Sequence, residues 1–372
     1  MPVTITAGIT FSGGGLTMEF APSVATAGWY SAGQASPGST VSTTSRVTYA
    51  TDTATATTRG PLSGAKYNIA ATGTLTYGWY TGGVLQNGGS EYSTVDRITF
   101  TTDTGAATTR GPLNTTRQYH AAVTDGSTYG WYTSGYANGV QSASVGMITY
   151  ATDTATATSR GSLNTAVYWS AGTGTTTSGW IGAGIASSPT SLVQRITYAT
   201  DTATASVKGP LTLARAQLAA VTDGTTYGWF GGGANGPDST VDRITYATDT
   251  ATASVRGPLS VIQAFLGSVF NTTYGWAAGG YNGVPEITST VQRITYATDT
   301  ATASVRGPIY TTHQNSGTGD ANYGWVGGGR DSGGNFLATV YRITYATDTA
   351  AATERGNLAV SVARQQSTSG IQ

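Results

Sequence analysis

Residues 226–233, TYGWFGGG, and residues 239–259, STVDRITYATDTATASVRGPL, are one copy of a phrase that the chain repeats seven times. The Trp of the phrase falls at Trp29, Trp79, Trp131, Trp180, Trp229, Trp276 and Trp325. The Asp of its Thr-Asp-Thr triplet keeps pace at Asp52, Asp103, Asp153, Asp201, Asp249, Asp299 and Asp348. A period near fifty residues with this composition means a propeller or an array of β-units. Within one copy, Ala219 to Thr222 read as a first strand and Asp223-Gly224 as a tight turn, because Gly accepts positive φ. Tyr227 to Phe230 read as a second strand. Val241 to Ala247 alternate apolar and polar, the period of a third strand, and Thr248-Asp249-Thr250 is a turn. Ala251 to Arg256 read as a fourth strand, which Gly257-Pro258 ends because Pro has no N–H for the ladder. Four antiparallel strands make a blade and seven copies close a ring, so the expected fold is an all-β, seven-bladed β-propeller.

The bulk numbers exclude several classes. The chain has 372 residues, and charged side chains are only 10% of them, against roughly 25% in ordinary globular proteins. Acids and bases number 18 each, which leaves no basic stripe to steer nucleic acid. There is no cysteine, hence no disulfide framework and no thiolate metal site. No eighteen-residue apolar run appears, so no membrane insertion is expected. The start lacks the basic region of a secretion signal, its first cation being Arg46.

The unit resembles the kelch repeat. Arg117, His120, Gly130, Tyr150, Asp153 and Leu163 follow that pattern, as do Arg215, Gly232, Gly233, Tyr246, Asp249, Pro258 and Leu259. The resemblance covers about residues 20–372 and departs on the last strand, where Val255 and Val305 stand near the family's usual Trp. It implies a kelch-like propeller, a fold that hosts enzymes and binding modules alike.

Residues 1–20 lie outside the repeat and residues 21–372 form the propeller. The tail from about 358 to 372 aligns with the start of a further unit, so it is expected to add a strand to the first blade; Met18 to Ala21 are the rival for that place. The leader ITAGITFSGGGLTMEF resembles short Gly-interrupted leaders of bacteriophage tail and virion proteins. That resemblance implies a place on a virion, next to other virion proteins, with the leader as a docking strap or an edge strand.

What repeats seven times is expected to be structural. The Gly-Trp rings should pack between neighbouring blades, each Trp burying roughly 150–250 Å². The recurring acids and bases should pair with one another or with backbone. The acids left over are scattered, and His120 and His313 are the only histidines, too few for a metal site of three ligands. No catalytic residue, metal or cofactor is expected.

Variation is confined to one face. Antiparallel connectivity puts the near-constant ATDTAT turns on one side of the disc. The divergent second-to-third-strand loops lie on the other, together with the segments that lead into each new blade. A rigid scaffold that displays diverse loops is a common way to build a binding surface. Its candidate residues are Tyr92, Tyr136, Trp169, Asp238, Tyr281, Glu286, Arg330, Asp331 and Phe336, aromatic platforms beside hydrogen-bonding groups. That mixture suits a host-surface glycan or receptor. One sector breaks the symmetry: Gly146-Met147 replace the usual acid or amide and Arg, Ser162 replaces Pro, and Trp169 is extra. Two other readings are a decorating propeller, as a homo-oligomer or against particle proteins, and a carbohydrate-active enzyme with a central site.

Overall fold

The computed structural model describes residues 10–12, 15–17, 25–85, 89–234, 238–283 and 286–369. Seven four-stranded antiparallel sheets follow one another around a ring. In the fifth blade the strands run Ala219–Thr222, Tyr227–Gly231, Val241–Thr245 and Ser254–Arg256, from the axis outward. Trp229 pairs with Val221 on one side and Arg243 on the other. The innermost strands carry mostly small residues, as in AATG, AAVT and SGTG, which lets seven of them crowd around one axis.

The first blade takes its innermost strand from the far end of the chain. Gln366–Ser369 pairs antiparallel with Ala27–Ser31, Trp29 lying opposite Thr368. Met18 to Ala21 lie outside the described residues. The leader contributes a hairpin of its own, Thr10–Ser12 paired with Gly15–Thr17.

The third and fourth strands are shorter than the alternation implies. The third stops at Thr245, and Tyr246–Thr248 form a 3-10 turn in every blade's equivalent place. Residues 251–253 leave the ladder: the Ala253 N–H donates instead to the Pro210 carbonyl of the preceding blade, at 2.8 Å. This detour delivers Tyr246 and Asp249 to the neighbouring blade, which a straight hairpin could not do.

The repeated residues meet at that joint. The Trp180 indole stacks on Tyr246, ring centres 4.2 Å apart, and donates its N–H to Asp249 at 2.8 Å. Arg195 and Lys208 of the Trp180 blade reach the same carboxylate at 2.9 and 3.3 Å. The Gly209 N–H donates to the Asp249 carbonyl at 2.8 Å. Every other joint repeats the indole–carboxylate bond, the Trp131–Asp201 joint lacking the second cation, and Trp325 with Asp52 completes the circle. Gly is obligatory beside the outer cation: a Cβ on Gly257 would lie 1.8 Å from the Ala301 carbonyl oxygen of the next blade. One apolar cluster forms at each joint, so the core is seven small cores rather than one.

The candidate binding face

Fifteen of the eighteen basic side chains are in ion pairs. The exceptions among the described residues are Arg117, Arg330 and Arg364. Arg117 is spent on backbone, donating to the carbonyls of Tyr132 and Ser144 and to the side chains of Asn114 and Ser144. Arg330 lies over the Phe336 ring at 4.8 Å and bonds the Gly334 carbonyl. Arg364 stands at the axis.

A cavity of about 330 Å³ opens there, on the face of the variable loops, where seven chain segments enter the innermost strands. One residue per blade forms its rim: Asn68, Tyr119, Trp169, Gln217, Phe265, Gln314 and Arg364. All seven adopt the left-handed conformation, with φ between 53° and 58°, which bulky residues rarely do. The cause is a chain of backbone hydrogen bonds around the axis. Tyr119 N–H donates to the Asn68 carbonyl, Trp169 to Tyr119, Gln217 to Trp169, Phe265 to Gln217, Gln314 to Phe265 and Arg364 to Gln314, at 2.9 to 3.2 Å. A backbone held this way in seven places marks a position that the surrounding fold over-determines.

The rim is unlike on its two sides. Tyr119 meets Trp169 edge-on at 4.9 Å, and Phe265 lies 6.4 Å from Trp169, with Tyr168 packed behind at 5.0 Å. On the opposite arc Gln314, Arg364 and Asn68 are consecutive. The side-chain amide oxygens of Gln314, Asn315 and Gln365 are buried there with no hydrogen-bond partner among the described residues. Gln365 is only 2% exposed, its amide nitrogen held by the Gly327 carbonyl at 2.7 Å. His120 lines the wall and bonds the Thr81 hydroxyl through Nε2 at 2.9 Å. Burial, with Arg117 and Lys66 nearby, drives its pKa well below the usual value, so the ring is neutral. Among the described residues no carboxylate lines the cavity.

Of the nine residues expected from sequence, Trp169 alone stands on this rim. Tyr136 packs edge-on against Tyr168 at 5.4 Å, one layer behind it. Tyr92 and Tyr281 tie their loops to the scaffold through backbone bonds to Gly83 and Ala264. The Asp238 carboxylate caps the Thr240 N–H in its own loop. Asp331 holds Asn335 through backbone and side chain at 2.8 and 2.9 Å, and these bonds lower its pKa. Phe336 sits under Arg330. Glu286 is exposed, with the Asn282 amide at 3.3 Å. Asp238, Arg330, Asp331 and Phe336 thus make contacts within their own loops. Sequence reasoning missed Tyr119, Phe265, Gln314 and Arg364, although the segments entering each blade were visibly divergent.

The asymmetric sector resolves into two unrelated features. Gly146 leaves room for Asn114, whose Oδ1 would lie 2.6 Å from a Cβ there. Met147 accepts a contact from Arg160 where other blades place a second cation. Both belong to the blade interior, while Trp169 belongs to the axial rim.

The chain matches no protein-family model and no curated protein. Among the described residues no group of His, Asp and Glu could hold a metal ion, and no helix is long and apolar enough to cross a membrane.

Proposed function

We propose that this propeller is a non-enzymatic recognition protein whose variable face binds a glycan or receptor on a host cell. The observation that carries the reading is the axial rim: seven side chains of six types, held in one strained conformation, surround a cavity at the centre of the divergent loops. A structural ring would be served by any seven small residues. We place the protein on a bacteriophage particle, at the tail or another surface appendage. The support for this is the Gly-interrupted leader and the low charge of the repeats, and kinship with kelch propellers belongs to the same proposal. The leader hairpin is then the docking strap toward other virion proteins.

Binding of the labelled protein to bacterial cells and to their isolated surface polysaccharide tests this. Its partner in the experiment is a variant with residues 84–93, 281–289 and 330–338 cut to Gly-Ser turns. Saturable binding that the variant loses or weakens supports recognition by this face. Binding by neither protein, with both folded, overturns it, and turnover of the polysaccharide would replace it with an enzyme.

One observation favours a second, particle-building reading. Val207, Val255 and Val305 are exposed on the outermost strands of the fourth to sixth blades, with Leu213, Ile262 and Tyr310 nearby in sequence and also exposed. The equivalent outer residues elsewhere are Thr58, Thr109, Ser159 and Glu354. An apolar arc on one side of the rim is the kind of surface that protein contacts cover.

A further inference from the structure

The axial cavity combines features that together select a ligand. Its volume is at the low end of small-molecule sites, about 300–1,000 Å³. Its aromatic arc, with Trp169 at the centre, offers flat apolar faces. Its opposite arc is polar, with Gln314, Arg364 and Asn68 consecutive on the rim. Amide side chains at Asn68, Gln217 and Gln314 beside flat rings suit a ligand with several hydroxyl groups. Arg364 is the one permanent charge on the rim and has no acid partner among the described residues; its guanidinium lies over the Tyr67 ring, 5.7 Å from the centre. A guanidinium in that position calls for a carboxylate.

A peptide is a poorer match. Peptides that dock on β-structure use free backbone donors and acceptors. Here six successive rim residues donate their N–H groups to the carbonyl of the preceding one, so recognition falls to side chains.

We propose that the axial cavity binds one acidic sugar residue, a pyranose carrying a carboxylate, with its ring against Trp169 and Tyr119 and its carboxylate on Arg364. This rests on the reading of the variable face as a recognition surface, and it names the chemical class that the centre of that face takes. Hydroxyl groups face the rim amides of Gln217 and Gln314. The outer loops contact neighbouring sugars of the same chain, and one site exists per propeller.

Calorimetric titration of the full chain tests the proposal. The probes are oligosaccharides ending in glucuronate, galacturonate or N-acetylneuraminate, each beside its counterpart with the carboxylate reduced to an alcohol. At least one acid-ended probe should bind at one site per chain, about tenfold or more tighter than its neutral counterpart, as expected when one charge-assisted contact is lost. Arg364→Gln should erase that preference, and Arg364→Lys should restore part of it. Trp169→Ala should weaken acid and neutral probes alike by about tenfold or more, the usual cost of removing an aromatic anchor. Thermal melting checks that each variant is folded. Failure of every probe, equal binding of acid and neutral forms, preference for an acidic peptide, or unchanged binding by folded Arg364→Gln would overturn the proposal. Should cells still bind the Trp169 and Arg364 variants but not the loop-shortened one, the recognition face stands and the acidic-sugar site falls. Should the acid probes bind while cells do not, the site stands and the host-recognition reading falls.

Discussion

The Trp325 indole donates its N–H to the Asp52 carboxylate at 2.7 Å, joining residues 273 positions apart. It is the joint that closes the ring, and Arg342 and Arg355 reach the same carboxylate at 3.2 and 3.4 Å. Asp52→Asn keeps an acceptor for the indole but leaves two largely buried guanidinium groups without a counter-charge. Breaking such a pair by removing one partner costs about 3–5 kcal/mol. The same change at Asp201 should cost less, because only Arg160 pairs with it and Met147 takes the other cation's place. Denaturant midpoints of the two variants compare them directly. Equal losses would mean that the second cation adds nothing to the joint.

Gly257 supplies a second check on the joint. Its N–H donates to the Asp299 carbonyl at 2.8 Å, and an added Cβ would fall 1.8 Å from the Ala301 oxygen. Backbone must move to admit it. Gly257→Ala should therefore destabilise by about 2 kcal/mol or more, at the upper part of the range for overpacking. Gly64→Ala has nothing within 4 Å of its new methyl and should lie within about 0.5 kcal/mol of the parent. Chemical denaturation of the two variants separates close approach from the general effect of replacing glycine.

Closure by the C-terminal strand predicts the effect of truncation. Thr368 bonds the Tyr80 hydroxyl at 2.8 Å and Ser367 bonds the Gly317 carbonyl at 2.7 Å, so the strand is tied to blades on both sides. Removing residues 366–372 would leave Ala27–Ser31 as an unpaired inner edge. A melting temperature lower by on the order of 10 °C is expected, along with concentration-dependent association through the bare edge. A truncated chain that melts like the parent would rule out closure by this strand.

The architecture was legible because its signals repeat. The spacing of Trp29 through Trp325 and of the turn aspartates counts the blades, and the assignment of Trp and of the paired charges to blade contacts follows from their periodicity. Strand ends were less legible. Residues 251–253 look like the start of a strand, but the Ala251 N–H closes its own turn on Thr248 and the Ala253 N–H goes to the preceding blade. The site was legible only at Trp169. Left-handed backbone at Tyr119, Trp169 and Phe265 is imposed by bonds from blade to blade, and nothing in the local sequence favours it. Asp238 and Asp331 read as free acids in variable loops, while the folded chain uses them to cap its own N–H groups.

The third blade offers a repair experiment. Arg117 is fully buried, and burial lowers its pKa to about 10. In the second and fifth blades the matching cations, Lys66 and Arg215, meet Asp96 and Asp242 at 2.8 and 2.9 Å; in the third, Gly146 holds the acid's place. Gly146→Asp alone would crowd Asn114. Combined with Asn114→Ser, which copies Ser63 of the second blade, it should raise stability by about 1–2 kcal/mol, the scale of a hydrogen bond to a charged group. The single variant should gain less or lose. A double variant less stable than the parent would show that the backbone acceptors already satisfy Arg117.

His120 sets the last expectation, a pH dependence. The residue is 7% exposed, and burial, reinforced by Arg117 and Lys66, holds its pKa well below the usual imidazole value. In the unfolded chain it titrates near that ordinary value, so below pH 6.5 the unfolded state takes up a proton that the folded state refuses. Stability is then lost as the pH falls. Between pH 7 and 5.5 this residue therefore lowers stability, by no more than the free energy of protonating an ordinary imidazole over that range. His313, also lowered by burial, adds in the same direction. His120→Gln keeps a partner for the Thr81 hydroxyl and has no proton to gain, so its stability should fall less between pH 7 and 5.5. Denaturation curves of parent and variant at the two pH values measure the difference. Parallel losses would mean that His120 accepts its proton inside the folded wall.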